Sequence, residues 1–177
     1  MTNELIKHFE GFRSEPYLDS GGIATIGYGT IRYTDGKAVS MSDASISEEH
    51  AAYMLDAHVK KDVNPTMGLI MVPLNINQKE SIKSMIYNIG SSAFHKSTFL
   101  KKLNNDDFKG AAAEFMSWIY VRKKINKGLV IRRTQELILF MSPAYKSDAG
   151  RKEIVAKDNI LVVLLRWLIG LFKNQRS

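Results

Sequence analysis

The segment FEGFRSEPYLDSGGIATIGYGT, Phe9 to Thr30, carries a glutamate, an aspartate and a threonine in the spacing Glu10-x8-Asp19-x5-Thr25. Two carboxyls and a hydroxyl are the groups with which a glycosidic bond can be hydrolysed. One carboxylic acid keeps its proton for the leaving oxygen, and a second polar group activates or orients water, or stabilises positive charge, across the sugar. Gly21, Gly22, Gly27 and Gly29 surround these residues and leave room for a bulky ligand against the backbone. A plain hairpin would use glycines in the same way.

The elements around the segment separate the two carboxyls. Leu5, Ile6, Phe9 and Phe12 recur at helical spacing, and Gly11 stands where a helix ending near Glu10 takes its C-terminal glycine. Glu10 would then sit in the last turn, where the negative end of the helix dipole favours the protonated acid. Asp19, past that helix in a loop of Ser and Gly, is expected to stay charged, and Thr25 to open a strand and hold a water by its hydroxyl. Glu15 is a rival acid, but it precedes Pro16 and so reads as extended and exposed. The spacing favours Glu10.

Further along, TIGYGTIRY followed by Asp35-Gly36 reads as a small β region with a hairpin turn. Ser45 or Ser47 can cap a helix presenting Ala51, Met54 or Leu55, Val59 and Val63, with Asn64-Pro65 as its stop. Ile82, Met85, Ile86 and Ile89 mark an amphipathic core helix ended by Asn88 and Gly90. Helices are also predicted over 98–103, around Ala111 to Ile119 after Asn105-Asp106, and over 129–141 before Ser142-Pro143. Phe108, Phe115 and Trp118 read as core, and Asn88 as a helix terminator. The predicted fold class is α+β, with a small N-terminal sheet region and a larger helical lobe.

Composition narrows the function classes. A chain of 177 residues with 45% apolar and 24% charged residues is ordinary globular usage. There is no cysteine, hence no disulfide framework and no thiolate nucleophile. His8, His50, His58 and His95 form no HExxH pair, so neither metal nor cofactor is expected. The net charge of +7 suits a polyanionic partner, but no helix-turn-helix or aromatic-laced basic stripe points to nucleic acid. Residues 1–6 show no cationic segment leading into an apolar run, so synthesis in the cytoplasm is expected.

The segment 9–30 resembles the active-site segment of the phage-type lysozymes, the endolysins of glycoside hydrolase family 24. In that family Glu, Asp and Thr at this spacing form the catalytic triad, and Glu10, Asp19 and Thr25 all match. LNINQKESIKSMIYNIGSSAFHKSTFLKKLNNDD is similar to the family's long central helix and following turn, and FMSW and GLVIRRTQELILF to its closing helices. The resemblance covers about residues 3–145 and implies a lysozyme-like fold. It also implies a monomeric muramidase that cuts the β-1,4 bond between N-acetylmuramic acid and N-acetylglucosamine in peptidoglycan and lyses the host. Glu10 is then the acid, and Asp19 with Thr25 positions water, which in this family gives inversion. Arg132 or Arg133 would face Glu10 as a basic residue does in relatives, or simply form a solvated helix face. A lytic transglycosylase would need one Glu and leave an anhydro sugar end. An inactive wall-binding module, or a protein that kills through its tail alone, would release no reducing ends.

The resemblance fades after Tyr145, so the chain is expected to divide into a muramidase domain at 1–145 and an added segment at 146–177. That segment holds seven Lys or Arg against three Asp or Glu. Its run Ile160 to Phe172, broken by Arg166 and Gly170, would reach about 20 Å as a helix, short of the ~30 Å hydrocarbon core. Asn159, Arg166 and Lys173 would line one narrow polar stripe. This is the pattern of a cationic amphipathic helix lying on an anionic membrane, or of a last helix packed on the domain or on another copy.

Overall fold

The computed structural model describes residues 3–19 and 21–143. The amphipathic helix expected within 146–177 lies outside them. The chain falls into two compact units, one formed by Met1–Met71 and Lys83–Ser97, the other by Val72–Ile82 and the residues from Thr98 on.

The first unit opens with α1 (Glu4–Glu10), which buries Ile6. Gly11 ends it at φ 67°, donating its N–H to Lys7 O at 3.0 Å, so Phe12 falls beyond the helix and is partly exposed. The chain then runs out as β1 (Arg13–Leu18) and returns as β2 (Ala24–Gly27), antiparallel, with Tyr17 opposite Thr25 and a register irregularity between Arg13 and Tyr17. Asp19 lies past α1 in the expected loop, with β1 intervening. At the predicted Asp35-Gly36 turn, the Tyr33 N–H donates to Lys37 O, with a single bridge between Arg32 and Ala38. Ile26, Val39 and Met54 are buried together under this β region.

Ser47 caps α2 (Glu48–His58) by accepting from the His50 N–H at 3.1 Å. Pro65 does not stop the helical run. A π-type turn over Val59–Val63 carries the chain into α3 (Asn64–Met67), where Pro65 occupies the first turn. The π-type turn shifts the hydrogen-bond ladder just ahead of the proline, with the Asn64 N–H reaching back five residues to Val59 O, and Pro65 itself has no N–H to donate.

α4 (Ile76–Ile89) begins in the second unit and ends in the first. Asn75 and Gln78 cap its start reciprocally, each side-chain oxygen accepting the other's backbone N–H at 2.9 Å. Gly90, at φ 85°, ends it and is followed by α5 (Ser91–His95).

The second unit continues with α6 (Thr98–Asn104), α7 (Phe108–Glu114), a 3-10 turn (Phe115–Trp118) and α8 (Lys127–Met141). The cap of α7 is Asp107, whose side chain accepts from Gly110 N–H, rather than the expected Asn105-Asp106. The core here is aromatic. Phe99, Phe115 and Phe140 meet edge to face with ring centroids 5.1, 5.6 and 5.7 Å apart, and all three are fully buried. A two-stranded ribbon that the sequence did not suggest, β3 (Tyr120–Val121) with β4 (Lys124–Ile125), precedes α8.

Candidate active site

Glu10 occupies the last position of α1 and is half-buried. It begins an open recess of about 630 Å³ whose wall runs from Glu10 along β1 to Tyr17. Glu15 lines the same recess from β1 and is exposed, as its place before Pro16 implied.

The Glu10 carboxyl lies against the backbone of Gly29. A Cβ at position 29 would stand 3.3 Å from Glu10 Oε2 and 3.7 Å from the Tyr87 hydroxyl, and Gly29 is at φ 84°. Glycine is thus required twice, by conformation and by proximity. The Tyr87 hydroxyl donates to Tyr28 O at 2.8 Å, pinning the peptide that leads into Gly29. Tyr28 is buried in turn, and its hydroxyl donates to Glu48 Oε1 at 2.6 Å. Burial and then the Glu48 carboxylate push the Tyr28 pKa up to about 12. Sequence reasoning missed Tyr28, Gly29 and Tyr87 as a group. The Gly-Tyr-Gly run hinted at a special backbone, but nothing local ties it to Tyr87.

Asp19 and Thr25 share one anchor, the peptide of Ile23. Asp19 Oδ1 accepts from the N–H groups of Gly21 and Ile23 at 2.8 and 2.9 Å. The Ile23 carbonyl accepts both the Asp19 N–H, at 3.0 Å, and the Thr25 hydroxyl, at 2.9 Å. Thr25 is 3% exposed, on β2.

Tyr17 faces Thr25 across the β1–β2 pair, and its hydroxyl pKa is raised, chiefly by burial and against the pull of Arg13. The Arg13 guanidinium lies 4.9 Å from the Tyr17 ring centroid.

Arg132 and Arg133 do not form a solvated helix face. Both are buried on α8, where Arg132 Nε and Arg133 Nη1 reach the two oxygens of buried Glu136 at 3.1 and 2.6 Å. Burial lowers the Arg133 pKa to about 10, against the pull of Glu136, and the Ser81 hydroxyl caps the Glu136 carbonyl at 2.6 Å. Among the described residues, no group of three or more His, Asp or Glu side chains could hold a metal ion.

The family model for phage lysozyme matches residues 7–136. The chain is 39% identical over 140 residues to the endolysin of Salmonella phage P22, covering 77% of this chain and 92% of that one. It is 34% identical over 140 residues to the SAR-endolysin of Escherichia phage Mu, covering 79% and 78%. The solved endolysin of Escherichia coli O157:H7 phage FAHEc1 superposes with a TM-score of 0.74 at 38% identity, covering 82% of this chain and 94% of that one. With a match over most of its length and a shared α+β fold, the chain belongs to the phage lysozyme family.

Proposed function

We propose that this peptidoglycan-hydrolysing lysozyme cuts the β-1,4 bond between N-acetylmuramic acid and N-acetylglucosamine with Glu10 as general acid and with Asp19 and Thr25 holding the attacking water. The observation that carries the reading is that Glu10 and Tyr17 line one recess while Tyr17 pairs across the strands with Thr25, whose hydroxyl shares the Ile23 carbonyl with the Asp19 N–H. Glu10 gives its proton to the leaving glycosidic oxygen as the bond to the anomeric carbon breaks. Asp19 Oδ1 is engaged by two backbone N–H groups, so Oδ2 is the oxygen that takes the water's proton. The Thr25 hydroxyl spends its hydrogen on the Ile23 carbonyl and can only accept, which orients the water's second hydrogen. Water bonds to the anomeric carbon from the opposite face, leaving Glu10 ionised and Asp19 protonated. Exchange with solvent resets both, and the product is inverted.

The test is reducing-end release from purified sacculi. Glu10→Gln and Asp19→Asn are each expected to lower the rate ~10²- to 10⁴-fold. A Glu10→Gln protein that retains wild-type turnover rejects the assignment, and anhydro sugar ends in the digest would reassign the chemistry to a lytic transglycosylase. In the cell, the monomeric enzyme would be made in the cytoplasm and reach the wall once the membrane is breached. Residues 146–177 are proposed, on their sequence pattern, to carry it onto an anionic bacterial membrane. Their deletion should weaken dye release from anionic vesicles while sparing sacculus hydrolysis, and unchanged dye release would remove that role.

A further inference from the structure

The β3–β4 ribbon is a short hairpin just ahead of α8. Tyr120 pairs with Ile125 and Val121 with Lys124, and the Asn126 N–H closes the base on Ile119 O at 2.8 Å. The two turn residues are Arg122, at φ 49°, and Lys123, at φ 64°. Two consecutive left-handed residues make a mirror-type hairpin turn, for which Asn-Gly is the favoured pair and long side chains are costly. The sequence nevertheless places two cations there, with Lys124 beside them. Among the described residues no carboxylate pairs with Arg122, Lys123 or Lys124, and Phe115 to Gln135 contains no acidic residue.

The ribbon also exposes an apolar side chain on each face. Cross-strand partners share a face, so Tyr120 and Ile125 lie on one side and Val121, beside Lys124, on the other. Yet Tyr120 is 55%, Val121 48% and Ile125 63% exposed. A wall glycan or peptide laid along such a ribbon would cover one face and leave the other wet. A lipid interface entered tip first would cover both. It would also offer anionic headgroups to the cations at the tip and the acyl boundary to the aromatic and aliphatic side chains behind them.

We propose that the β3–β4 hairpin is a membrane-docking element that dips its Arg122-Lys123 tip into the headgroup layer of an anionic phospholipid bilayer. It is separate from residues 146–177 and is independent of the catalytic assignment. The tip cations give the attraction to the surface, and Tyr120, Val121 and Ile125 give retention.

The test compares whole chains on vesicles of phosphatidylglycerol with phosphatidylcholine and on phosphatidylcholine alone. Arg122→Asn with Lys123→Gly removes both charges while supplying the pair that the turn prefers, so the fold is kept and the melting temperature should hold or rise. This double variant should bind anionic vesicles roughly 10- to 30-fold less tightly, since each basic residue at such a surface contributes about fivefold. A second variant, Val121→Thr with Ile125→Thr, keeps the strands and charges and should dissociate from the vesicles faster than wild type. Equal affinity of wild type and the charge variant for anionic vesicles would overturn the proposal. So would a charge variant whose loss appeared only in co-sedimentation with sacculi, which would assign the tip to an acidic wall polymer.

Discussion

Asp19 and Ile23 are bonded to each other twice, the Ile23 N–H donating to Asp19 Oδ1 at 2.9 Å and the Asp19 N–H to Ile23 O at 3.0 Å. The aspartate thus holds its own loop while presenting its second oxygen. Asparagine keeps an Oδ1 acceptor and loses only the charge and the proton affinity. Asp19→Asn should therefore melt within about 0.5 kcal/mol of wild type while losing hydrolysis, whereas Asp19→Ala should lose both, with a stability cost of about 1–2 kcal/mol. Thermal melts beside sacculus assays separate the two effects.

Thr25 is tested by the same logic. Thr25→Ser keeps a hydroxyl for the Ile23 carbonyl and should retain most activity. Thr25→Val leaves that carbonyl without its side-chain donor and a water without its acceptor, so turnover should fall by roughly 10-fold or more, with about 1–2 kcal/mol of stability. If valine were as active as serine, the hydroxyl would have no part in orienting water.

Gly29 limits how Glu10 can sit. Gly29→Ala adds a Cβ 3.3 Å from Glu10 Oε2 and forces alanine to φ 84°. The backbone strain should cost about 1–2 kcal/mol, and displacement of the carboxyl should lower kcat by roughly 10-fold or more. KM should change little, because the glycine is proposed to shape the acid's position and not the sugar contacts. A kcat equal to wild type in the folded variant would show that the carboxyl accommodates the methyl.

Much of this arrangement was legible in the sequence where local chemistry decides. Gly11 and Gly90 ended their helices as expected, and Ser47 capped α2, because each answer depends on a few neighbouring residues. The β3–β4 ribbon was not legible because its turn holds Arg-Lys in place of Asn-Gly. The passage through Pro65 depended on a π-type turn that shifts the hydrogen-bond ladder, which apolar periodicity does not report. Tyr87 and Tyr28 are 59 residues apart, so no local pattern joins them. Arg133 reads from the sequence either as facing Glu10 or as part of a solvated helix face, and only its burial against Glu136 removes the second reading.

That burial makes the arginine costly to lose. Arg133 is fully buried with Nη1 2.6 Å from Glu136 Oε2, so Arg133→Leu leaves a buried carboxylate with Arg132 as its remaining α8 cation. Breaking such a pair from one side typically costs about 3–5 kcal/mol, while replacing both partners by apolar residues is often close to neutral. Arg133→Leu should therefore lower denaturant stability sharply, and Arg133→Leu with Glu136→Leu should recover part of the loss. If the double variant were less stable by the sum of the two single effects, the ion pair would not be the source.

Tyr28 gives the fold an alkaline limit. Its folded pKa of about 12 lies above the ordinary value of 10.0, so the folded state holds this proton more tightly than the unfolded chain does. The stability tied to the neutral hydroxyl is complete below pH 10 and is lost as pH rises from there towards 12, where the buried phenolate would face Glu48. Tyr28→Phe loses the hydrogen bond at neutral pH, about 1 kcal/mol, but has no proton to release. Its unfolding free energy should fall less between pH 10 and 12 than that of wild type, and the two curves should converge. Parallel curves over that interval would mean that another group sets the alkaline limit.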